Sequence, residues 1–549
     1  MKNKYFYVGT MVLGLLAGMT AFVAVGDEKK VTAAPDKTAI AKDNSMGQSE
    51  KTDLVNMGAD AQVEHFVKTR QSLAENPYRP LYHFSPPGFG SHDPAGLCWW
   101  QGNYHLFYLY SPPGTKWGRG HAVSDDLMHW RDLPMLPAKI SGGTAQVWAD
   151  KDRVIMGYAS HGHGAVSLAT ASDPLLLNWV EHPANPVIKP GNDNFLWREG
   201  DYYYVTYKTS AYRATALAIL RSKDLTQWER LGNFLEDSYF TDPGTDCSCN
   251  NVLPIGKGKH LVLFFTHNQG PQYYIGAFDQ QQGRYTIEDH GRMNYGPVMR
   301  GSLHAPSGFV DPNGRCIGIW NIMHCFAKQG FSGDVDGVIS LPRRLSLNEM
   351  RTGIDGGQPS LNPLCIEPIE ELKKLRFNPV KIENVAIPAN GEKILTGVQG
   401  RAMELEAVID PRQAREVGLR VLRSPNGEEQ TTISLFMHAW ASPWKSDKRE
   451  LMIDVSQASL GPDVASRSPE IGPLYLEDGE PLRLRVFIDR SIVEVFANDR
   501  QCLTLRAYPT RQDCTGVSVF ARGSEANLVS LNAYQMKSVW PDLKGQEGR

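Results

Sequence analysis

Residues 83–130 hold the densest run of groups able to do chemistry. His92-Asp93-Pro94 follows a Pro- and Gly-rich approach, His83-Phe84-Ser85-Pro86-Pro87-Gly88-Phe89-Gly90. It precedes the apolar alternation Tyr104-His105-Leu106-Phe107-Tyr108-Leu109-Tyr110, with Trp117 beyond. A carboxylate ahead of a strand can serve as a nucleophile, and an Asp-Pro pair can equally be an ordinary turn. A second such pair, Asp311-Pro312-Asn313-Gly314, lies between Phe309-Val310 and the next apolar run, where a hairpin turn belongs. His161-Gly162-His163-Gly164 suggests metal, but no Cys or acidic cluster accompanies it, so it reads as a loop. Cys247 and Cys249 have no second pair nearby and read as partly buried thiols. Cys502 and Cys514 flank a hairpin-sized segment and can bridge in an oxidising compartment. Nothing resembles a phosphate loop or a Ser-His-Asp triad.

The elements that must position these groups are short strands. Residues 104–110, 153–158, 202–207, 261–265 and 316–320 are aromatic and β-branched runs separated by Gly, Asn, Asp or Pro. No comparable helical period appears among them. Asp126-Leu127-Met128-His129-Trp130 recurs as Asp224-Leu225-Thr226-Gln227-Trp228, with a looser copy at Asp173-Pro174-Leu175 and Trp179. A period of about 50 residues with roughly four strands per repeat is the signature of a propeller blade. Residues 61–345 then hold about five blades. Residues 346–375 break the pattern with Gly-Gly and several Pro, and 366–375 reads as a short helix within a connector. From 376 to 549 alternation resumes, as in 482–488 and 491–496 across an Asp489-Arg490 turn, and predicts a sandwich. The expected fold is all-β: a five-bladed β-propeller followed by a C-terminal β-sandwich.

The 549 residues carry 57 Lys plus Arg against 60 Asp plus Glu, a net charge of -3. That leaves no basic footprint for nucleic acid. The 12 Trp, 21 Tyr and 20 Phe suit β folds with ring-lined clefts. Eight Cys are too few for a disulfide scaffold. Lys2 and Lys4 precede an apolar run to about residue 25, and Ala24-Val25-Gly26 offers small residues for cleavage. Residues 1–26 therefore read as a signal peptide or an N-terminal anchor. Residues 27–60 are polar and read as a tether. The folded part is expected outside the cytoplasm, with no other membrane contact, and its oligomeric state is left open.

The run from His83 to Trp130 closely resembles glycoside hydrolase family 32, the β-fructofuranosidases. The resemblance continues, in order, through Ser141-Gly142-Gly143-Thr144 (S-G-S in the family), Asn185-Pro186-Val187-Ile188 (N-P-V-I) and Leu341-Pro342-Arg343-Arg344-Leu345 (L-P-R-E-L). Val486-Phe487-Ile488-Asp489-Arg490-Ser491-Ile492-Val493-Glu494-Val495-Phe496 looks like the family's sandwich signature. Coverage is about 80–540. The resemblance implies a five-bladed propeller carrying the active site, a following β-sandwich, a carbohydrate partner, and no metal or organic cofactor.

Residue by residue, the family's N-D-P-N-G motif, whose Asp is the nucleophile, falls on Asp93. His92 takes the Asn position, where it can hydrogen-bond sugar or Asp93. The R-D-P carboxylate, which holds sugar hydroxyls and stabilises the transition state, falls on Asp193. Asn192 takes the Arg position and Asn194 the Pro position, so a forked cation is lost. The acid/base motif E-C-P-D-x-F-P-L admits two registers. Matching Leu253-Pro254-Ile255 without gaps puts Ser248 on the Glu, and serine cannot be this acid. Matching Asp246-Cys247 keeps an acid, since residues 246 and 248 point the same way on a strand. Asp246 is the expected acid/base, with a pKa raised by burial. Asp242, Glu236 or no working acid are the alternatives. Trp117 and Ser141 are expected to contact substrate. Leu109 stands where the family usually has a sugar-contacting Gln.

The predicted activity is retaining hydrolysis of β-D-fructofuranosides, such as sucrose or levan and inulin type fructans. Asp93 forms a fructosyl-enzyme, Asp246 protonates the leaving oxygen and then activates water, and Asp193 holds the ring. A retaining pair of carboxyls stands about 5–5.5 Å apart. Fructosyl transfer is the alternative within enzymes. A carbohydrate-binding pseudoenzyme is the alternative outside them, motivated by Ser248, Asn192 and Leu109. An inverting arabinan-type hydrolase is disfavoured by the sandwich signature.

Overall fold

The computed structural model describes residues 54, 57–88, 91–111, 118–141, 143–160, 164–209, 213–238, 240–298, 300–325, 337–348, 362–437, 448–477 and 479–540. The N-terminal segment 1–26, most of the tether, Trp117, His161 and His163 lie outside the described residues. So does the side chain of His92.

The apolar alternations fold into consecutive antiparallel sheets. The first holds Ser91–Trp100, Asn103–Tyr110, Gly118–Ser124 and Trp130–Leu133, in that order across the sheet. The second holds Ala145–Ala149, Val154–Ser160, Ala165–Ala171 and Val180–Glu181. The third holds Phe195–Glu199, Tyr202–Lys208, Leu217–Ser222 and Glu229–Asn233. The fourth holds Ser248–Gly256, Lys259–Thr266, Gly270–Asp279 and Arg284–Arg292. In the fifth, Leu303–Val310 pairs with Cys316–Ile322, which pairs with Arg343–Leu347 and the short Val338–Ile339. The first strand of each sheet touches the first strand of the next, and Leu303–Val310 touches Ser91–Trp100. These five strands therefore form a closed ring whose ends face one axial space.

The weak repeat is the turn between third and fourth strands. Asp126 Oδ1 accepts the backbone N–H groups of Met128 and His129 at 3.0 and 2.8 Å. Asp224 Oδ1 does the same for Thr226 and Gln227 at 2.8 Å each. Asp173 accepts from Leu177 and Asn178. In each turn a buried leucine, Leu127, Leu176 or Leu225, sits at positive φ. A β-branched residue would be strained there. Asp311 also closes a turn, accepting from the N–H groups of Asn313 and Arg315. It joins Leu303–Val310 to Cys316–Ile322, the hairpin expected of it.

Two elements differ from the sequence expectations. Ala59–Ser72 is an α-helix, whose buried face carries Gln62, Phe66 and Arg70. Two polar side chains on that face hide the apolar period. Arg70 forks onto Asp132 at 2.6 and 2.8 Å and lies 3.3 Å from the Trp540 ring centroid. In the connector, Leu364–Pro368 is a strand that completes the fifth sheet, and only Glu370–Leu375 is helical, as a 3-10 turn.

The remaining strands make two six-stranded sheets. One orders Arg376–Ile387, Ala526–Met536, Ala402–Asp410, Leu482–Asp489, Ile492–Ala497 and Gln501–Arg506. The other orders Glu392–Gln399, Gly516–Arg522, Glu416–Arg423, Thr431–Phe436, Lys448–Asp454 and Glu470–Tyr475. Leu405, Val486 and Leu505 of one sheet share an apolar core with Leu419, Ile433 and Val519 of the other. All eight cysteines are free thiols. Cys514 donates to Glu429 at 3.1 Å rather than bridging Cys502.

Residues of three motifs meet at a buried junction. His83 places Nδ1 2.9 Å from Asp489 Oδ2 and Nε2 3.0 Å from Glu494 Oε1. Asp489 also accepts the backbone N–H groups of Leu81, Tyr82 and His83. Arg343 donates to Glu494 at 2.7 Å. The signature 486–496 and the segment 341–345 thus carry one charge network under the propeller-like ring.

Candidate active site

The axial space is bounded by the leading ends of the ring strands. Asp93 is the third residue of Ser91–Trp100, where the pairing register slips on either side of Pro94. Its Oδ1 lies 2.8 Å from His304 Nδ1 and 3.4 Å from Asn321 Nδ2. His304 belongs to Leu303–Val310, so the fifth sheet holds the carboxylate presented by the first.

Asp193 stands just ahead of Phe195–Glu199 with φ 43°, a conformation Asp tolerates better than most residues. Asn192 Oδ1 accepts its N–H at 2.9 Å, and Asn250 Nδ2 donates to its carbonyl at 2.6 Å. A narrow pocket is lined by Asp93, Asp193, Asn194, Leu109, Thr144, Gln146 and Cys249. Asn194 is only 2% exposed, and its amide has no hydrogen-bond partner among the described residues. The Thr144 hydroxyl is also buried without one. Buried polar atoms in this state are costly unless a ligand or water completes them.

Asp246 stands ahead of Ser248–Gly256 and is buried. Its Oδ2 receives the Lys208 ammonium at 3.0 Å, the Ser248 hydroxyl at 2.9 Å and His267 Nδ1 at 2.8 Å. Its Oδ1 receives the backbone N–H of His267 at 3.1 Å. Burial pushes this carboxyl up, but the hydrogen bonds from His267 and Lys208 and the Lys208 charge hold it below the usual carboxylate range. The sequence argument expected the reverse, because the donors come from strand ends distant in the chain.

Lys208 ties the site together. Its Nζ lies 2.7 Å from Ser248 Oγ and 3.8 Å from Asp193 Oδ2. Burial opposes its charge, but Asp246 and Asp193 outweigh that and raise its pKa. Cys249, with φ 51°, sits among the carboxylates: burial first, then Asp193, Asp93 and Asp246, push its thiol well up. It remains a neutral wall of the pocket.

Asp93, Asp193 and, through Lys208, Asp246 are thus brought together. Asn192 supports Asp193 and faces a wider groove lined by Lys208, Tyr207, Trp228 and Arg230. Ser141 is buried with its hydroxyl on the carbonyls of Leu136 and Pro137, closing its own turn. Thr144, three residues on, reaches the pocket instead. Sequence reasoning passed over Lys208, His267, His304 and Asn321. For Lys208, His267 and Asn321 the signal available was position, because the end of each second strand lies beside the start of the first, and His304 is itself at the start of a first strand.

The N-terminal domain of glycosyl hydrolases family 32 matches residues 83–354, and the family's C-terminal domain matches residues 371–535. The chain belongs to glycosyl hydrolases family 32. A levanase of Bacillus subtilis (strain 168) is 28% identical over 518 residues, covering 85% of this chain and 72% of that protein. An insoluble β-fructofuranosidase of Arabidopsis thaliana is 26% identical, covering 85% and 94%. The structure of fructan 1-exohydrolase IIa from Cichorium intybus superposes with a TM-score of 0.73 at 20% identity, covering 85% and 98%. Family 32 membership makes the chain a glycosidase, and the shared fold is a β-propeller followed by a β-sandwich.

Proposed function

We propose that the protein hydrolyses β-D-fructofuranosides with retention, through a fructosyl-enzyme on Asp93. The five sheets are read as the blades of a five-bladed propeller over residues 61–345. The observation that carries the reading is the pocket between Asp93 and Asp193. A nucleophilic carboxylate opens the first sheet, and a second carboxylate opens the third, where it can hold ring hydroxyls. Asn194 and Thr144 supply unspent polar groups suited to a sugar. The levanase and β-fructofuranosidase relatives support a fructosyl substrate. The acid/base work is assigned to the cluster around Asp246. The N-terminal run supports export to a compartment where such sugars occur.

The lowered carboxyl of Asp246 favours a second reading, a carbohydrate-binding protein without turnover. Incubation with sucrose, levan and inulin decides between them. Fructose released by the wild type and lost in Asp93→Asn supports hydrolysis, and fructosyl oligomers support transfer. Sugar binding without any product from the wild type overturns the enzymatic reading.

A further inference from the structure

Retaining hydrolysis needs a group that gives a proton to the leaving oxygen and later takes one from water. Asp246 is badly placed for this. Four donors converge on its two oxygens, an arrangement that favours the carboxylate over the protonated acid. Ser248 cannot supply an acid, and the Lys208 ammonium is itself committed to Asp246 and Ser248. Among the described residues, one group touching Asp246 has both a ring nitrogen to spare and an open face. His267 puts Nδ1 2.8 Å from Asp246 Oδ2 while its side chain is 59% exposed. The two ring nitrogens lie on opposite sides of an imidazole, so Nε2 is turned away from that carboxylate.

His267 also lies next to the nucleophile's support. Its ring meets Phe265 edge-on at 5.3 Å, and its centroid is 6.4 Å from that of His304, which holds Asp93. Phe265 packs against both rings, with its centroid 4.1 Å from that of His304. Among the described residues, the charged and titratable groups facing the ring are therefore Asp246 at Nδ1, Lys208 on the same carboxylate oxygen, and His304 across from it beside Phe265.

We propose that His267 is the catalytic acid and base of this enzyme, with Asp246 as its positioning residue. The proposal rests on the fructosidase reading with Asp93 as nucleophile. In the first step Nε2–H of the imidazolium protonates the glycosidic oxygen. The anomeric C–O bond breaks, and an Asp93 oxygen bonds to that carbon. In the second step neutral Nε2 takes a proton from water, the hydroxide oxygen bonds to the anomeric carbon, and the bond to Asp93 breaks. Throughout, the Asp246 carboxylate keeps Nδ1 protonated, so one nitrogen orients and the other exchanges the proton. Lys208 and Ser248 hold Asp246 in place.

The test compares leaving groups. Glucose departs from sucrose as a poor alkoxide unless it is protonated, whereas para-nitrophenyl β-D-fructofuranoside releases a stabilised phenolate that needs little protonation. His267→Ala is expected to lower kcat/KM on sucrose or levan by about 10²–10⁴-fold. Formation of the fructosyl-enzyme from the nitrophenyl substrate should fall far less, and azide should speed its breakdown to fructosyl azide. His267→Gln should behave alike, and the open position leaves the thermal midpoint unchanged in both. A loss of under about 3-fold on sucrose, or an equal loss on both substrates, overturns the proposal. Wild-type turnover abolished by Asp93→Asn keeps the underlying reading intact in that event. A wild type inert towards every fructoside overturns both.

Discussion

His304 Nδ1 lies 2.8 Å from Asp93 Oδ1, a contact between the fifth sheet and the first at the end of the ring that carries the proposed site. As a carboxylate, Asp93 accepts the imidazole N–H. The bond fixes the rotation of the carboxyl, with Asn321 adding a longer donor to the same oxygen. His304→Ala is therefore expected to lower kcat/KM by about 10²-fold through misplacement of the nucleophile. Because orientation of Asp93 matters for every substrate, sucrose and the nitrophenyl fructoside should lose activity equally. A loss confined to sucrose would assign His304 to proton transfer instead.

Removing Asp93, the proposed nucleophile, is expected to have a larger effect. Asp93→Asn is expected to cost at least about 10⁴-fold in kcat, by analogy with other nucleophile deletions. Asparagine preserves the shape and the hydrogen bonds to His304 and Asn321 in part, so folding should persist. Sugar binding measured calorimetrically should remain, which separates lost chemistry from lost structure.

Asp246→Asn tests the positioning role. Asparagine cannot meet four donors as an anion does, and it removes the negative charge beside the His267 ring. Without that carboxylate the ring loses the bond that orients it, so kcat on sucrose should fall with KM little changed, while the nitrophenyl fructoside, which needs little protonation, should lose far less. An equal loss on both substrates would mean that Asp246 does not act through His267.

The sequence made the scaffold legible where the turn chemistry repeats. Asp126, Asp173 and Asp224 mark three sheets because each accepts two backbone N–H groups ahead of the last strand. The fourth sheet uses Asp279 in the same way, accepting from Gln281 and Gln282, but without the accompanying Leu and Trp, so its copy is unreadable. Asp93 stands out in the sequence because it sits in a distinctive run. Lys208 and His267 do not, because each is an ordinary residue at the end of a second strand and gains meaning only beside an Asp just ahead of a first strand. The lowered pKa of Asp246 follows from those same neighbours. The helix Ala59–Ser72 was hidden because its packing contact is an ion pair rather than an apolar stripe.

That ion pair carries a prediction of its own. Arg70 and Asp132 are both buried, and Arg70 spends Nε, Nη1 and Nη2 on Asp132 and the Ser85 carbonyl. Arg70→Ala leaves Asp132 buried without its partner, which costs about 3–5 kcal/mol. Arg70→Lys keeps the charge but loses the fork and the planar contact with Trp540, so it should restore only part of the loss. Urea unfolding of the three proteins measures the difference. An Arg70→Ala cost below about 1 kcal/mol, the range of surface pairs, would show that the helix is not anchored here.

The buried junction predicts a bounded pH range for stability. Burial alone would lower the pKa of His83, but its hydrogen bonds to Asp489 and Glu494 outweigh burial and raise it above 6.5. Burial would raise Glu494, but the Arg343 charge and the His83 bond hold it down at about 2. A group whose folded pKa is raised contributes fully below its unfolded value and less as pH climbs through the folded one. The His83 contribution is therefore complete below about pH 6.5 and fades above it. A group whose folded pKa is depressed contributes fully above its unfolded value, so the Glu494 contribution is complete above about pH 4.3 and fades towards acid. Both are at full strength only between those limits, and thermal unfolding should peak there. His83→Gln should flatten the alkaline side of that curve while leaving the acid side. A wild-type midpoint still climbing between pH 7 and 9 would show that His83 is not held as an imidazolium between its two carboxylates.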